Sequence, residues 1–92
     1  IPCPDEKKQS IITYVTDIFS SRPDVHILTL DGVRVTMPYG WGLVRASNTQ
    51  PMLSLRFESD TQAGLQKIKL DVINVLARDF DVDILKQAFD VA

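Results

Sequence analysis

Apolar positions along the chain change period several times, and each change marks an element. Ile11, Tyr14, Val15, Ile18 and Phe19 recur at i, i+3, i+4, i+7 and i+8, one stripe of an α-helix. Pro4 suits the first helical position, and Asp5 and Glu6 favour the positive end of the helix. Pro23 disfavours helical geometry in the residue before it. The pattern predicts a helix from Pro4 to Ser21, with Lys7, Lys8 and Asp17 off its apolar stripe.

The period then falls to two. Val25–Leu30 and Val33–Met37 read as strands, and Asp31-Gly32 between them is a hairpin signal, because a type I′ turn needs positive φ at both positions. Val33, Val35 and Met37 alternate with Arg34 and Thr36, which buries one face and wets the other. Pro38 closes the second strand, and Gly40-Trp41-Gly42 reads as a tight bend or a close backbone approach. Trp41 is either a packing anchor at the sheet's end or a wall of a ligand cleft; packing is the plainer reading. Leu43–Ala46 forms a third strand and Met52–Glu58 a fourth. Leu53, Leu55 and Phe57 face one way, Ser54, Arg56 and Glu58 the other, as in an antiparallel sheet with one solvated or interface face. Arg56 and Glu58 read as a solvated or cross-strand charged pair.

Ser59 and Gln62 have capping-box spacing. The helix that follows carries Leu65, Ile68, Val72, Ile73 and Leu76, and a short last helix is expected around Asp81–Phe89. Two amphipathic helices and one apolar sheet face predict an α+β fold: a two-layer domain of four antiparallel strands with both main helices on one face.

Composition narrows the function. Ninety-two residues, 45% apolar, suit a single domain spanning 1–92 with a modest core. A net charge of −2 argues against a nucleic-acid binder, whose footprint is a basic face. No apolar run reaches membrane-spanning length. Cys3 is the only cysteine and His26 the only histidine. Neither has a supporting motif, so Cys3 reads as an incidental thiol and His26 as a half-exposed strand residue. No cluster has metal-ligand spacing, no Walker or dinucleotide loop is present, and no paired acids suggest acid–base catalysis. The expected catalytic and metal sets are both empty.

One constellation rises above this background. Arg45, Ser47, Asn48 and Thr49 crowd the turn between the third and fourth strands. Arginine offers a planar fork of donors that matches phosphate, and the hydroxyls and amide add shorter-reach donors. Backbone N–H groups of a tight turn can form an anion nest. The residues alone also fit a polar turn whose side chains satisfy their own backbone. Pro51 then holds Gln50 extended and restarts a strand.

The stretch Gly40-Trp41-Gly42-Leu43-Val44-Arg45-Ala46-Ser47-Asn48-Thr49-Gln50-Pro51, followed by Leu55-Arg56-Phe57-Glu58, resembles the C-terminal domain of the α-D-phosphohexomutases, in their phosphomannomutase/phosphoglucomutase branch. Leu30-Asp31-Gly32-Val33-Arg34-Val35 fits the same pattern. The resemblance runs from about Asp5 to Leu76 and is densest from Asp31 to Glu58. It implies a fold related to the TATA-binding-protein type. It also implies that Arg45, Ser47, Asn48 and Thr49 hold the phosphate of a hexose phosphate. The family interconverts hexose 1- and 6-phosphates through a phosphoserine and a bisphosphorylated intermediate that turns around in the site. Mg²⁺ and hexose 1,6-bisphosphate are therefore implied for a full enzyme, and no cofactor for this domain. The phosphoserine, magnesium and sugar-selecting loops of the family are not in this sequence, so these residues alone are expected to lack mutase activity. Gln50 stands where many relatives carry glutamate. With a start at Ile1 rather than Met, the chain reads as a piece of a longer multidomain enzyme. The expected partners are hexose phosphate and that enzyme's other domains, not nucleic acid or membrane, and the expected location is the cytoplasm. The alternative is a free-standing interaction or docking module with the polar turn as a spectator.

Overall fold

The computed structural model describes residues 1–91. Its elements are α1 (Asp5–Ser20), β1 (His26–Leu28), β2 (Val33–Met37), β3 (Gly40–Ala46), β4 (Leu53–Glu58), α2 (Gln62–Leu76) and α3 (Val82–Ala88). The four strands form one antiparallel sheet in the order β1-β2-β3-β4. Helices α1 and α2 pack against each other and against the sheet, giving the expected α+β architecture. The core joins Ile11, Val15 and Phe19 of α1 to Val33, Val35, Val44 and Leu53 of the sheet and to Ile68, Val72 and Ile73 of α2. Strand alternation puts Arg34, Trp41, Leu43, Arg45 and Arg56 on the opposite sheet face.

The buried stripe of α1 differs from the expected one. It runs Lys8, Ile11, Ile12, Val15, Phe19, while Ile18 is 37% exposed. Lys8, expected off the stripe, lies on it, because it precedes Ile11 by three residues and Ile12 by four. Its methylene stem packs like an apolar side chain provided the ammonium finds acceptors. Pro4 is the N-cap rather than the first helical residue: its ψ of 140° is extended, and its carbonyl accepts from the Lys7 N–H at 2.9 Å.

The strands shift at their ends. β1 stops at Leu28, and Leu30, expected in the strand, is part of the turn. β3 starts at Gly40 because Pro38 and Tyr39 alone make the β2–β3 connection, with Met37 paired to Gly40. Trp41 is thus a strand residue, half-buried on the helix-free face beneath Arg34, whose guanidinium carbon lies 4.3 Å from the indole centroid. Gly42 is buried beneath α2, where a Cβ would stand 3.2 Å from both Phe57 and Val72. The bare backbone lets α2 seat closely on the sheet.

The expected capping box is replaced. Thr61 caps α2 by accepting from the Gly64 N–H at 2.9 Å. The Ser59 hydroxyl instead donates to the Tyr39 carbonyl at 2.5 Å, fastening the end of β4 to the β2–β3 turn. Asp81 caps α3 through the N–H groups of Asp83 and Ile84, at 2.8 and 3.2 Å. Cys3 is a core residue, 1% exposed. Its N–H donates to the Pro51 carbonyl at 2.8 Å, and Pro2 pairs with Met52, so the first residues line the start of β4.

Candidate functional site

The site is assembled at one end of the sheet by two turns. The first follows β1: Asp31 and Gly32 both have positive φ, 60° and 102°, as expected. Leu28 pairs with Arg34, however, so the loop holds three residues, Leu30 to Gly32, rather than the two of the expected type I′ hairpin. A Cβ on Gly32 would stand 2.5 Å from the Val44 carbonyl oxygen, so this turn lies directly against β3. The second turn joins β3 to β4 and carries the candidate anion ligands. Arg45 pairs with Ser54 in the sheet, and Ala46 with Leu53, so Ser47 to Gln50 project beyond the last paired residues. The Ser47 N–H donates to the Met52 carbonyl at 3.1 Å and closes the base of the turn.

The two turns meet through their charges. Arg45 Nε lies 3.3 Å from Asp31 Oδ2, with both side chains well exposed. Asp31, Gly32 and Asn48 share the wall of a groove of about 410 Å³ with the polar residues Gln9, Thr13 and Thr29. Ser47 is half-buried, while Asn48 and Thr49 are exposed at the tip. The Ser47 Oγ accepts from the N–H groups of Thr49 and Gln50, at 3.4 and 3.2 Å. Ser47 Oγ therefore serves its own backbone as an acceptor, and its O–H proton remains available as a donor.

Beneath the turn sits a residue that the polar motif does not contain. Lys8 is 8% exposed, and its ammonium donates to the carbonyls of Ser47 and Gln50, each at 2.6 Å. A third contact, to Asp5 Oδ1, is also 2.6 Å. A buried ammonium is tolerated when it is paired and its donors are all used. The usable signal for Lys8 in the sequence is its i−3 and i−4 spacing from Ile11 and Ile12. The signal for Asp31 is its place in a hairpin turn of fixed geometry, although only the fold reveals that the turn faces Arg45.

Other candidates fall away from this end. His26 is exposed on β1, paired with Thr36. Trp41 is four residues from Arg45 on the same strand, about 13 Å at strand rise, and is not part of the turn. Among the described residues no group of three or more His, Cys, Asp or Glu is placed to hold a metal ion. Among them, too, no helix is long and apolar enough to cross a membrane.

The model of the phosphoglucomutase/phosphomannomutase C-terminal domain matches residues 1–75. The chain belongs to this family. A phosphomannomutase/phosphoglucomutase of Pseudomonas aeruginosa is 68% identical over 44 residues, 48% of this chain and 10% of that protein. A phosphoglucomutase of Neisseria gonorrhoeae is 60% identical over 43 residues, 47% of this chain and 9% of that protein. The matched stretch thus spans about a tenth of the length of these curated relatives. A crystal structure of a phosphoglucomutase/phosphomannomutase family protein from Burkholderia thailandensis shares the fold, with a TM-score of 0.66 at 34% identity. That match covers 77% of this chain and 16% of the other. In this phosphoglucomutase/phosphomannomutase C-terminal domain, both turns of the site fall inside the family match, whereas α3 lies beyond it.

Proposed function

We propose that the β3–β4 turn binds the phosphate group of a hexose phosphate. The ligands are the Arg45 guanidinium, the Ser47 and Thr49 hydroxyls and the Asn48 amide. The chain then acts as the phosphate-holding C-terminal domain of a phosphomannomutase/phosphoglucomutase that interconverts hexose 6-phosphate and hexose 1-phosphate. The observation that carries this reading is the exposed turn itself: an arginine, two hydroxyls and an amide gathered on a loop whose feet are fixed from below by a buried ammonium. A phosphate offers several strong acceptor oxygens, and charge-assisted bonds to a guanidinium fork are the strong ones.

The role is positional. The phosphate held here is the one not being transferred, and its binding orients the reacting end of the sugar. A bisphosphorylated intermediate must leave and rebind as it turns, which favours an adjustable grip. The Asp31–Arg45 pair suits that need, because an exposed ion pair exchanges readily with an incoming anion. Swinging of this domain toward the others would exclude water from the reaction. Mg²⁺ belongs to the full enzyme in this proposal. The described residues offer it no group of three or more His, Cys, Asp or Glu as a ligand set. The setting proposed is the cytoplasm.

The helix-free sheet face supports a second role beside the first. Trp41 and Leu43 are half-exposed there, among Arg34 and Arg56, which suits contact with another domain of the same enzyme.

The deciding experiment is Arg45→Ala in the full-length enzyme. The phosphate-binding role predicts a fall in kcat/KM for hexose phosphate on the order of 10²-fold. Unchanged kcat/KM would make the turn a spectator and leave docking as the domain's function.

A further inference from the structure

We propose that Lys8 is a positioning residue for the anion-binding turn: its buried ammonium holds the feet of the turn so that Asn48 and Thr49 project. This rests on the phosphate reading above, and it adds a residue from a different element, nearly forty positions upstream of the ligands.

The two carbonyls that Lys8 engages belong to Ser47 and Gln50, the residues that bracket the tip. The Gln50 carbonyl also accepts from the Met52 N–H at 2.8 Å, so the descending foot is held twice. With both carbonyls drawn inward by one cation, Asn48 and Thr49 between them are left at the outer edge, where both are exposed. The N–H groups of Thr49 and Gln50 gather on the Ser47 hydroxyl. The short segment thus has its carbonyl ends pinned below and its amide-bearing tip above.

Apolar residues at this point of α1 would fill the stripe but would leave both carbonyls without this partner. The charge of Lys8 is itself balanced by Asp5 one turn earlier on the helix. Asp5 therefore limits what Lys8 adds as a long-range positive charge, and what Lys8 contributes is geometry. Preorganised donors cost less to engage than donors that must be ordered on binding. A turn released from Lys8 would have to be ordered by the ligand.

The test uses the 92-residue chain in two measurements. The first observes the lysine side-chain ¹⁵Nζ resonances of the wild-type protein without ligand. Lys8 should give a slowly exchanging NH₃⁺ signal, set apart from those of Lys7, Lys67, Lys69 and Lys86. A Lys8 signal averaged like the others would overturn the proposal, and this reading needs no variant to fold. The second measurement compares Lys8→Met with wild type by amide hydrogen exchange and by titration with glucose 6-phosphate. Exchange at Asn48, Thr49 and Gln50 should quicken while Val35 and Val44 in the sheet keep their protection. Glucose 6-phosphate binding should weaken about tenfold or more, the scale of a lost charge-assisted contact. Weakened binding with unchanged turn exchange would mean that Lys8 acts by charge alone, which contradicts positioning. Faster exchange with unchanged binding would contradict it as well. If wild type binds no hexose phosphate while Lys8 is immobile, the phosphate reading fails, and with it the ligand role of the turn that Lys8 orders.

Discussion

Asp31 and Arg45, fourteen residues apart, meet at 3.3 Å because the β1–β2 turn lies against the end of β3. Arg45 therefore has a carboxylate beside it. Under the phosphate-binding proposal an incoming anion has to share or displace that partner, so Asp31 would set how firmly Arg45 holds it.

Replacing Asp31 by Asn tests this directly. Asparagine tolerates the positive φ of 60° at this position, so the turn is kept while the charge is lost. The side chains of Arg45 and Asp31 are 49% and 67% exposed, which limits their interaction to about 0.2–1 kcal/mol. Asp31→Asn should tighten binding of glucose 6-phosphate by up to about fivefold in an NMR titration. Unchanged or weaker binding would mean that Arg45 does not contribute its charge to the anion.

Arg45 should matter for binding and little for stability. It is exposed at the end of β3, outside the core, so Arg45→Ala should change unfolding free energy by no more than about 0.5 kcal/mol in urea denaturation. Arg45→Lys keeps the charge and loses the planar fork. Its phosphate affinity should fall between those of wild type and the alanine variant; affinity equal to wild type would show that charge alone suffices.

Gly42 carries the seating of α2. An alanine there places a methyl 3.2 Å from Phe57 and Val72, two side chains with packed neighbours. Overpacking of this kind costs about 1–3 kcal/mol, so Gly42→Ala should lower the urea midpoint with little change in slope. An unchanged midpoint would mean that α2 shifts freely over the sheet.

Alkaline pH should destabilise the domain through Tyr39. Burial, and then its hydrogen bond to Asp71, push the phenol above its ordinary pKa, while the bond from Arg22 works in the opposite direction. The folded state thus holds the proton more tightly than the unfolded chain. The stabilisation is complete below the unfolded pKa near 10 and is lost as pH rises through the folded value. The Cys3 thiol is raised too, chiefly by burial, and has the same sign beginning near pH 9. Melting temperature followed from pH 8 to 11 should fall, and Tyr39→Phe should flatten the part above pH 10. A fall of the same size in the Tyr39→Phe variant would assign it elsewhere.

How far the sequence reveals this molecule depends on what each feature rests on. Period-two alternation in β2 and β4, positive φ at Asp31 and Gly32 and the main helices rest on local rules, and the structure keeps them, while the hairpin loop gains Leu30 because the strand register pairs Leu28 with Arg34. The capping of α2 does not, because Ser59 is drawn to the Tyr39 carbonyl across the β2–β3 turn and leaves Thr61 to cap. The stripe of α1 turns toward Ile12 rather than Ile18, a choice made by the surfaces it packs on rather than by side-chain type. At the site, the motif from Arg45 to Thr49 is legible as a string of donors. Its supports are not, because Lys8 and Asp31 reach it only through tertiary contacts.

The central claim is that the β3–β4 turn grips a sugar phosphate. The most direct test is a ¹⁵N-HSQC titration of the chain with glucose 6-phosphate, beside sulfate as an anion control and glucose as an uncharged one. The predicted result is weak saturable binding, with Kd on the order of 1–10 mM. Shifts should be confined to residues 44–50 and the adjoining Asp31 turn, and absent with glucose. Equal shifts with sulfate would place recognition in the anion and leave sugar identity to other domains. Shifts from glucose as large as those from glucose 6-phosphate, or shifts centred away from the turn, would contradict the assignment of Arg45, Ser47, Asn48 and Thr49 as the phosphate ligands.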